Sequence, residues 1–304
     1  MKLINKSNWL NLAIDLKNSV IPAIWRRVIA TMIFAFFIII AYHKGLAAAD
    51  QPILASLSPG IVLGLLLVFR TNTAYERFWE GCKLWYDLLA ASRIFCRNIW
   101  IIVPANNTEA LKIKLDKIRL VGILIITIKL HLRKEFFAHS LTTIITENEY
   151  LELKKVKNIP LRVINWFAEY FGKLFYEQKV INYRLFLELN KSLDQITALF
   201  SSCERILDTP LPKPYSIHLK HLLLLYCFAL PFQFVKQLDW FTIPVVGIIS
   251  FTLLGIEAIG VEIENPFGYD QDDLPLDQFC RQLQAEIETE WIDFDSNLVK
   301  NSYE

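Results

Sequence analysis

The chain has 304 residues, 54% of them hydrophobic and 13% aromatic, and its 32 Lys and Arg against 31 Asp and Glu leave a formal net charge of +1. So much apolar side chain exceeds what an ordinary soluble domain carries, and the balanced charge gives no global basic field for nucleic acid. The five cysteines, Cys82, Cys96, Cys203, Cys227 and Cys280, are odd in number and form no CxxC pair, which argues against a disulfide framework and a zinc site.

Residues 1–27 hold Lys2, Lys6, Lys17, Arg26 and Arg27 but no long apolar core or small-residue cleavage site, so they read as a cytoplasmic segment and not a signal peptide. Residues 28–69 form a first apolar hairpin: Val28 to Tyr42, a short linker with His43, Lys44 and Asp50, then Ile53 to Phe69. Each run is near the lower limit of the roughly 17–25 residues that a spanning helix needs. In the second run Ser56 and Ser58 are candidate N-caps and Pro59 suits a first helical turn. Gly60 and Gly64 leave room for close helix approach. From there Ile61, Leu65 and Phe69 fall four apart, so they stack along one helical face over roughly 12 Å. Periodicity alone leaves two readings of that face, one lining a pore and one packed against lipid or a neighbouring helix.

Residues 70–218 differ in kind, because charges recur at helical spacing between apolar positions. Leu187, Leu189, Leu193, Ile196 and Leu199 mark one apolar stripe. Ile118 to Leu132 is apolar but broken by Arg119 and Lys129, as expected of a buried helix in a bundle. Asn106-Asn107-Thr108 and Asn158-Ile159-Pro160 read as turns. A second apolar hairpin covers residues 219–261, with Lys236 to Asp239 between its halves and Pro231 and Pro244 interrupting them. Residues 262–304 open on an acidic stretch and are expected to end in a helix. Basic residues flank the paired segments and are sparse between them, which places both termini and the middle region in the cytoplasm.

Catalytic signatures are missing: there is no GxSxG, HExxH, P-loop or glycine-rich dinucleotide turn. His218 and His221 beside Lys220 read as a basic interfacial flank. The chain is therefore expected to be no enzyme.

Two blocks carry a specific likeness. After the second segment comes RTNTAYERFWEGCKLWYDLL from Arg70, and after the fourth comes ENPFGYDQDD from Glu264. Together with ERILDTPLP at Glu204 to Pro212, they resemble the bestrophin family of ion channels, closest to its bacterial and chloroplast branch. The resemblance covers about Ile24 to Asp277. It implies an all-α membrane protein whose four transmembrane helices, in two hairpins, continue into a cytoplasmic helical bundle. It further implies a homopentamer around one axial pore, in a cell inner (plasma) membrane or a thylakoid-type membrane.

Matching Arg77-Phe78-Trp79 to the family's motif puts the pore neck at Ile61, Leu65 and Phe69, and the family's cytoplasmic constriction, on the helix before the third segment, matches Leu187. The helix start at Ser58 and Pro59 would face the pore entrance, with Arg70 just inside the neck. Both features favour anions such as chloride. The same resemblance offers a Ca²⁺ site at Asp270, Asp272, Asp273 and Asn265, although Tyr269 and Gln271 stand where the family has acids. A loop and helix cap is the other reading of that turn. A cation-selective channel on the same scaffold and a non-conducting membrane scaffold are the alternative functions.

Overall fold

The computed structural model describes residues 19–46, 57–135, 145–270 and 272–293, which are helical with no strand among them. Lys2, Lys6, Lys17, the Ile53 to Ser56 start of the second segment and the end of the expected C-terminal helix lie outside the described residues. The chain divides into two compact units, one of residues 1–78, 210–265 and 270–272 and the other of residues 79–209, 266–269 and 273–304.

In the first unit, α1 (Ile21–His43) opens with a proline in its first turn, where the missing N–H costs nothing. It buries Ile24, Thr31, Ala35 and Ile39, a stripe at seven- and four-residue steps that packs on α7 (Lys213–Leu238) and α8 (Thr242–Glu262). Where α1 approaches α8, a Cβ on Gly247 would lie 3.0 Å from Met32 Sδ. α7 continues through Pro231 without ending, and Pro244 falls in the first turn of α8, so neither proline interrupts its helix as the sequence suggested. The link between them is very short. Asp239 takes a positive φ of 46°, a 3₁₀ turn follows over Asp239–Phe241, and α8 begins at Thr242. At this end His43 stacks on Trp240 and its Nε2 lies 2.8 Å from Asp239 Oδ1.

α2 (Leu57–Ile102) is one unbroken helix of 46 residues, its first part in the first unit and its remainder in the second. In the second unit, α3 (Thr108–Leu132) is the central helix. Most residues from Ile118 to Leu132 are buried, as its apolar run requires. Around it pack α5 (Ile159–Gly172), α6 (Tyr183–Asp208) and α9 (Leu276–Ile287), while the short α4 (Glu147–Leu153) closes a complete capping box between Thr146 and Glu149. The turns expected at Asn107 and Asn158 are helix N-caps: Asn107 Oδ1 accepts from Ala110 N at 2.7 Å and Asn158 Oδ1 from Leu161 N at 3.1 Å. Phe95 on α2 fills the space between Phe167 and Phe171 on α5, edge to face with both. Arg93 makes a two-pronged ion pair with Glu286 of α9 at 2.7 and 3.0 Å.

Candidate pore-lining helix

The first turns of α2 have one buried face and one bare face. Leu63 and Leu67 are buried in a cluster with Leu219 and Leu223 of α7. The Tyr215 hydroxyl donates to the Leu66 carbonyl at 3.2 Å, and a Cβ on Gly60 would lie 2.5 Å from the Tyr226 hydroxyl oxygen. Gly60 therefore serves close approach to α7; Gly64 meets nothing within 4 Å and does not. Leu66 is half-buried against the same cluster.

Ile61, Leu65 and Phe69 lie on the other side, 71%, 55% and 56% exposed. Val62 and Val68 flank them and are also exposed, so the bare apolar arc is wider than the three-residue stripe. Just beyond it, Thr71 and Thr73 turn their hydroxyls back onto the carbonyls of Leu67 and Phe69 at 2.9 and 3.0 Å, which satisfies them within the helix. The described part of the helix includes Leu57, so Ser58 and Pro59 lie within it, and Ser56 falls outside the described residues.

Arg70 requires a correction. The sequence put it just inside the neck as a charge available to an anion. In the structure it is 3% exposed, and its Nη1 lies 2.9 Å from Oε1 of Glu257, itself buried in α8. One residue of helix is a rotation of about 100°, and that step carries Arg70 from the bare face of Phe69 into the protein. Its Nη2 lies 3.7 Å from Glu264 Oε2, while Glu264 Oε1 accepts from Leu211 N at 3.1 Å. Glu257 escaped the sequence reading altogether. The available signal was an acid inside an otherwise apolar run, which is rare unless it has a partner or a task.

Leu187 sits in the first turns of α6, in the second unit, and is 47% exposed beside the exposed Tyr183. It is not part of the buried stripe expected there. Leu189, Leu193 and Ile196 are buried, Leu199 only half so, and Phe200, Cys203 and Ile206 carry the stripe onward. The start of this helix is held by Asn182, whose side chain accepts from Leu185 N at 2.9 Å, and by Phe175 stacked on Phe186 with ring centroids 4.8 Å apart.

Asn265, Asp270 and Asp272 belong to the first unit and Asp273 to the second. Among the described residues no group of three or more His, Cys, Asp or Glu is arranged to hold a metal ion. In the second unit Tyr269 lies over the Arg133 guanidinium at 4.2 Å.

Much of the remaining first-unit surface is apolar. Ile29, Ile33, Phe36 and Phe37 on α1 and Ile248 and Phe251 on α8 are exposed large apolar side chains. Ile21–His43 and Lys213–Glu262 are the described stretches long and apolar enough, by length and composition, to cross a bilayer. Trp25 and Trp240, both half-exposed, mark opposite ends of this layer.

A family model described as Bacterial/Fungal Bestrophin protein matches residues 1–289. Among curated relatives, a voltage-dependent anion channel-forming protein of Nostoc sp. is 45% identical over 285 residues, covering 94% of this chain and 92% of that one. One of the same name from Synechocystis sp. is 43% identical over 280 residues, covering 92% and 91%. Among solved structures, a bacterial bestrophin homologue from Klebsiella pneumoniae superposes with a TM-score of 0.80 at 26% identity, covering 87% of this chain and 97% of that one.

Proposed function

Because this chain belongs to the bacterial/fungal bestrophin family, we propose that it is a homopentameric anion channel whose neck is lined by Ile61, Leu65 and Phe69. The observation that carries this reading is the two-faced start of α2, where an apolar cluster grips one side and the stripe stands bare on the other. One chain cannot enclose a pore with a single helix face. Five copies set around an axis would turn the stripe into three stacked apolar rings, which gate by dewetting. The curated relatives are named as anion channel-forming proteins, and that supports anions, chloride among them, as the permeant species.

The source of the favourable field differs from what the sequence implied, because Arg70 is neutralised by Glu257. The helix start that the sequence places near Ser58 and Pro59 would supply partial positive charge to the pore entrance. Leu187 would form a second apolar constriction on the cytoplasmic side. Both termini lie in the cytoplasm in this reading, and the membrane is a cell inner or thylakoid-type membrane.

The test is a reversal potential measured with purified protein in planar bilayers under a KCl gradient. A potential near that of chloride is expected, and one near that of potassium would select the cation channel instead. Silence from protein that native mass spectrometry shows to be pentameric would leave a membrane scaffold.

A further inference from the structure

We infer that Glu257 is a positioning residue for the neck: its ion pair with Arg70 sets the rotational register of α2 and so decides which side chains face the axis. The inference rests on the channel reading above and adds to it a part that no apolar contact could play.

The chemistry begins with an anomaly. α8 reads TIPVVGIISFTLLGIEAIGVE and carries one acid, Glu257, before its terminal Glu262. That carboxylate is 2% exposed, and an ionised group so enclosed is costly unless a partner and hydrogen bonds compensate it. The partner is Arg70, equally buried, on a different helix and 187 positions away in sequence. Charged pairs enclosed in apolar helix packing are retained for geometry more readily than for stability.

The pair acts on rotation because of what else holds α2 at this level. Leu63 and Leu67 press on Leu219 and Leu223, and such apolar contacts are non-directional and tolerate turning. A guanidinium–carboxylate hydrogen bond is directional. The two helices also approach closely at this point: a Cβ on Gly260 would lie 3.6 Å from Thr71 Oγ1 and 4.0 Å from Arg70 Nε. Arg70 therefore reaches Glu257 in one angular setting of α2, and in that setting Phe69, one residue back, faces outward.

Two further cations rim the acid. Arg27 Nη1 is 3.8 Å from its Oε2 and Lys220 Nζ 3.9 Å from its Oε1. Both side chains are half-exposed and stand beyond good hydrogen-bond distance. Of the three cations, Arg70 makes the close hydrogen bond to Glu257, and it is the one carried by α2. With Glu257→Gln the Arg70 charge would be buried without its close anion, and α2 would relieve this by turning Arg70 toward water. That turn would draw the stripe off the axis and bring Leu67 outward.

The experiment reads the register directly, by the rate at which a charged, membrane-impermeant methanethiosulfonate modifies introduced cysteines. Purified full-length protein in liposomes, with Cys82→Ser as background, carries Leu65→Cys on the bare face or Leu67→Cys on the gripped face. In the parent, Leu65→Cys is expected to react and Leu67→Cys to be protected. Adding Glu257→Gln should speed the second several-fold and slow the first. The exchange Arg70→Glu with Glu257→Arg should restore the original ratio. An unchanged ratio in Glu257→Gln overturns the inference. So does a rise at both cysteines together, which would signal general loosening, and so does an exchange variant that fails to restore the ratio. No current is needed for this reading, so silence in bilayers would count against the channel and leave the register result standing.

Discussion

Gly81 and Pro266 approach so closely that a Cβ on Gly81 would lie 2.6 Å from the proline Cγ and 3.4 Å from the ring of Phe267, which is fully buried. A pyrrolidine ring cannot swing aside as a long side chain can. Gly81→Ala should therefore destabilise the second unit by about 1–3 kcal/mol through overpacking. The gain of up to about 1 kcal/mol in helix propensity offsets part of that. Thermal unfolding of the two proteins side by side measures the balance, and a variant at least as stable as the parent would mean that the turn can move away.

The neck makes a prediction by contrast. Leu65→Ala and Phe69→Ala should widen and wet the apolar rings and raise current through an intact oligomer. Val62→Ala, on the flank of the bare arc, should leave current near the parent level. Leu67→Ala removes a buried side chain from the α7 contact and should cost about 2–5 kcal/mol of stability. Leu66 is unsuitable as a lipid-facing control because it is half-buried against α7. Equal gains in current from Val62→Ala and Leu65→Ala would displace the axis from the stripe.

Asp277 gives a pH dependence with a definite sign. Lys129 Nζ lies 2.7 Å from Oδ1 and Arg133 Nη1 2.6 Å from Oδ2, and these bonds hold the carboxyl at about 2, below its ordinary 3.8. A depressed acid contributes stability that is fully present above its unfolded value and is lost as pH falls through the folded one. Melting temperature should therefore fall between pH ~4 and ~2 more steeply in the parent than in Asp277→Asn. The carboxylate is half-exposed, so solvent screens the effect. Parallel profiles would show that another group carries the acid transition.

Calcium removal is expected to leave melting unchanged, because among the described residues no trio of ligand-type side chains converges on a metal. Anything that binds the folded state alone raises its melting temperature by mass action. A rise with Ca²⁺ that disappears in the double variant Asp270→Ala, Asp273→Ala would show that these acids form a site after all.

What could be read from the sequence was local. Asn107 and Asn158 read as turns, and the structure makes them helix N-caps because a short polar side chain reaches its own backbone three residues on. The four-residue spacing of Ile61, Leu65 and Phe69 defines a face for the same reason that any helix has faces. Which face turns inward depends on sequence elsewhere. Arg70 points into the protein because an acid 187 positions later awaits it, and Leu66 is covered because α7 brings its leucines to that height. Leu187 shows the converse: it fits the apolar period of α6, yet the buried stripe begins two residues later at Leu189. Periodicity cannot say where along a helix its neighbour starts.

The packing of α1 also bears on how the protein is made. Its stripe of Ile24, Thr31, Ala35 and Ile39 meets α7 and α8, and about 170 residues separate the end of α1 from the start of α7. At roughly 5–20 residues per second, a ribosome needs roughly 10–30 s to cover that interval. During it the first helix has been synthesised while the surface it packs against does not yet exist. Any factor that shields a nascent helix should therefore act on α1 before all others, and a stalled chain ending near residue 210 should present that stripe uncovered.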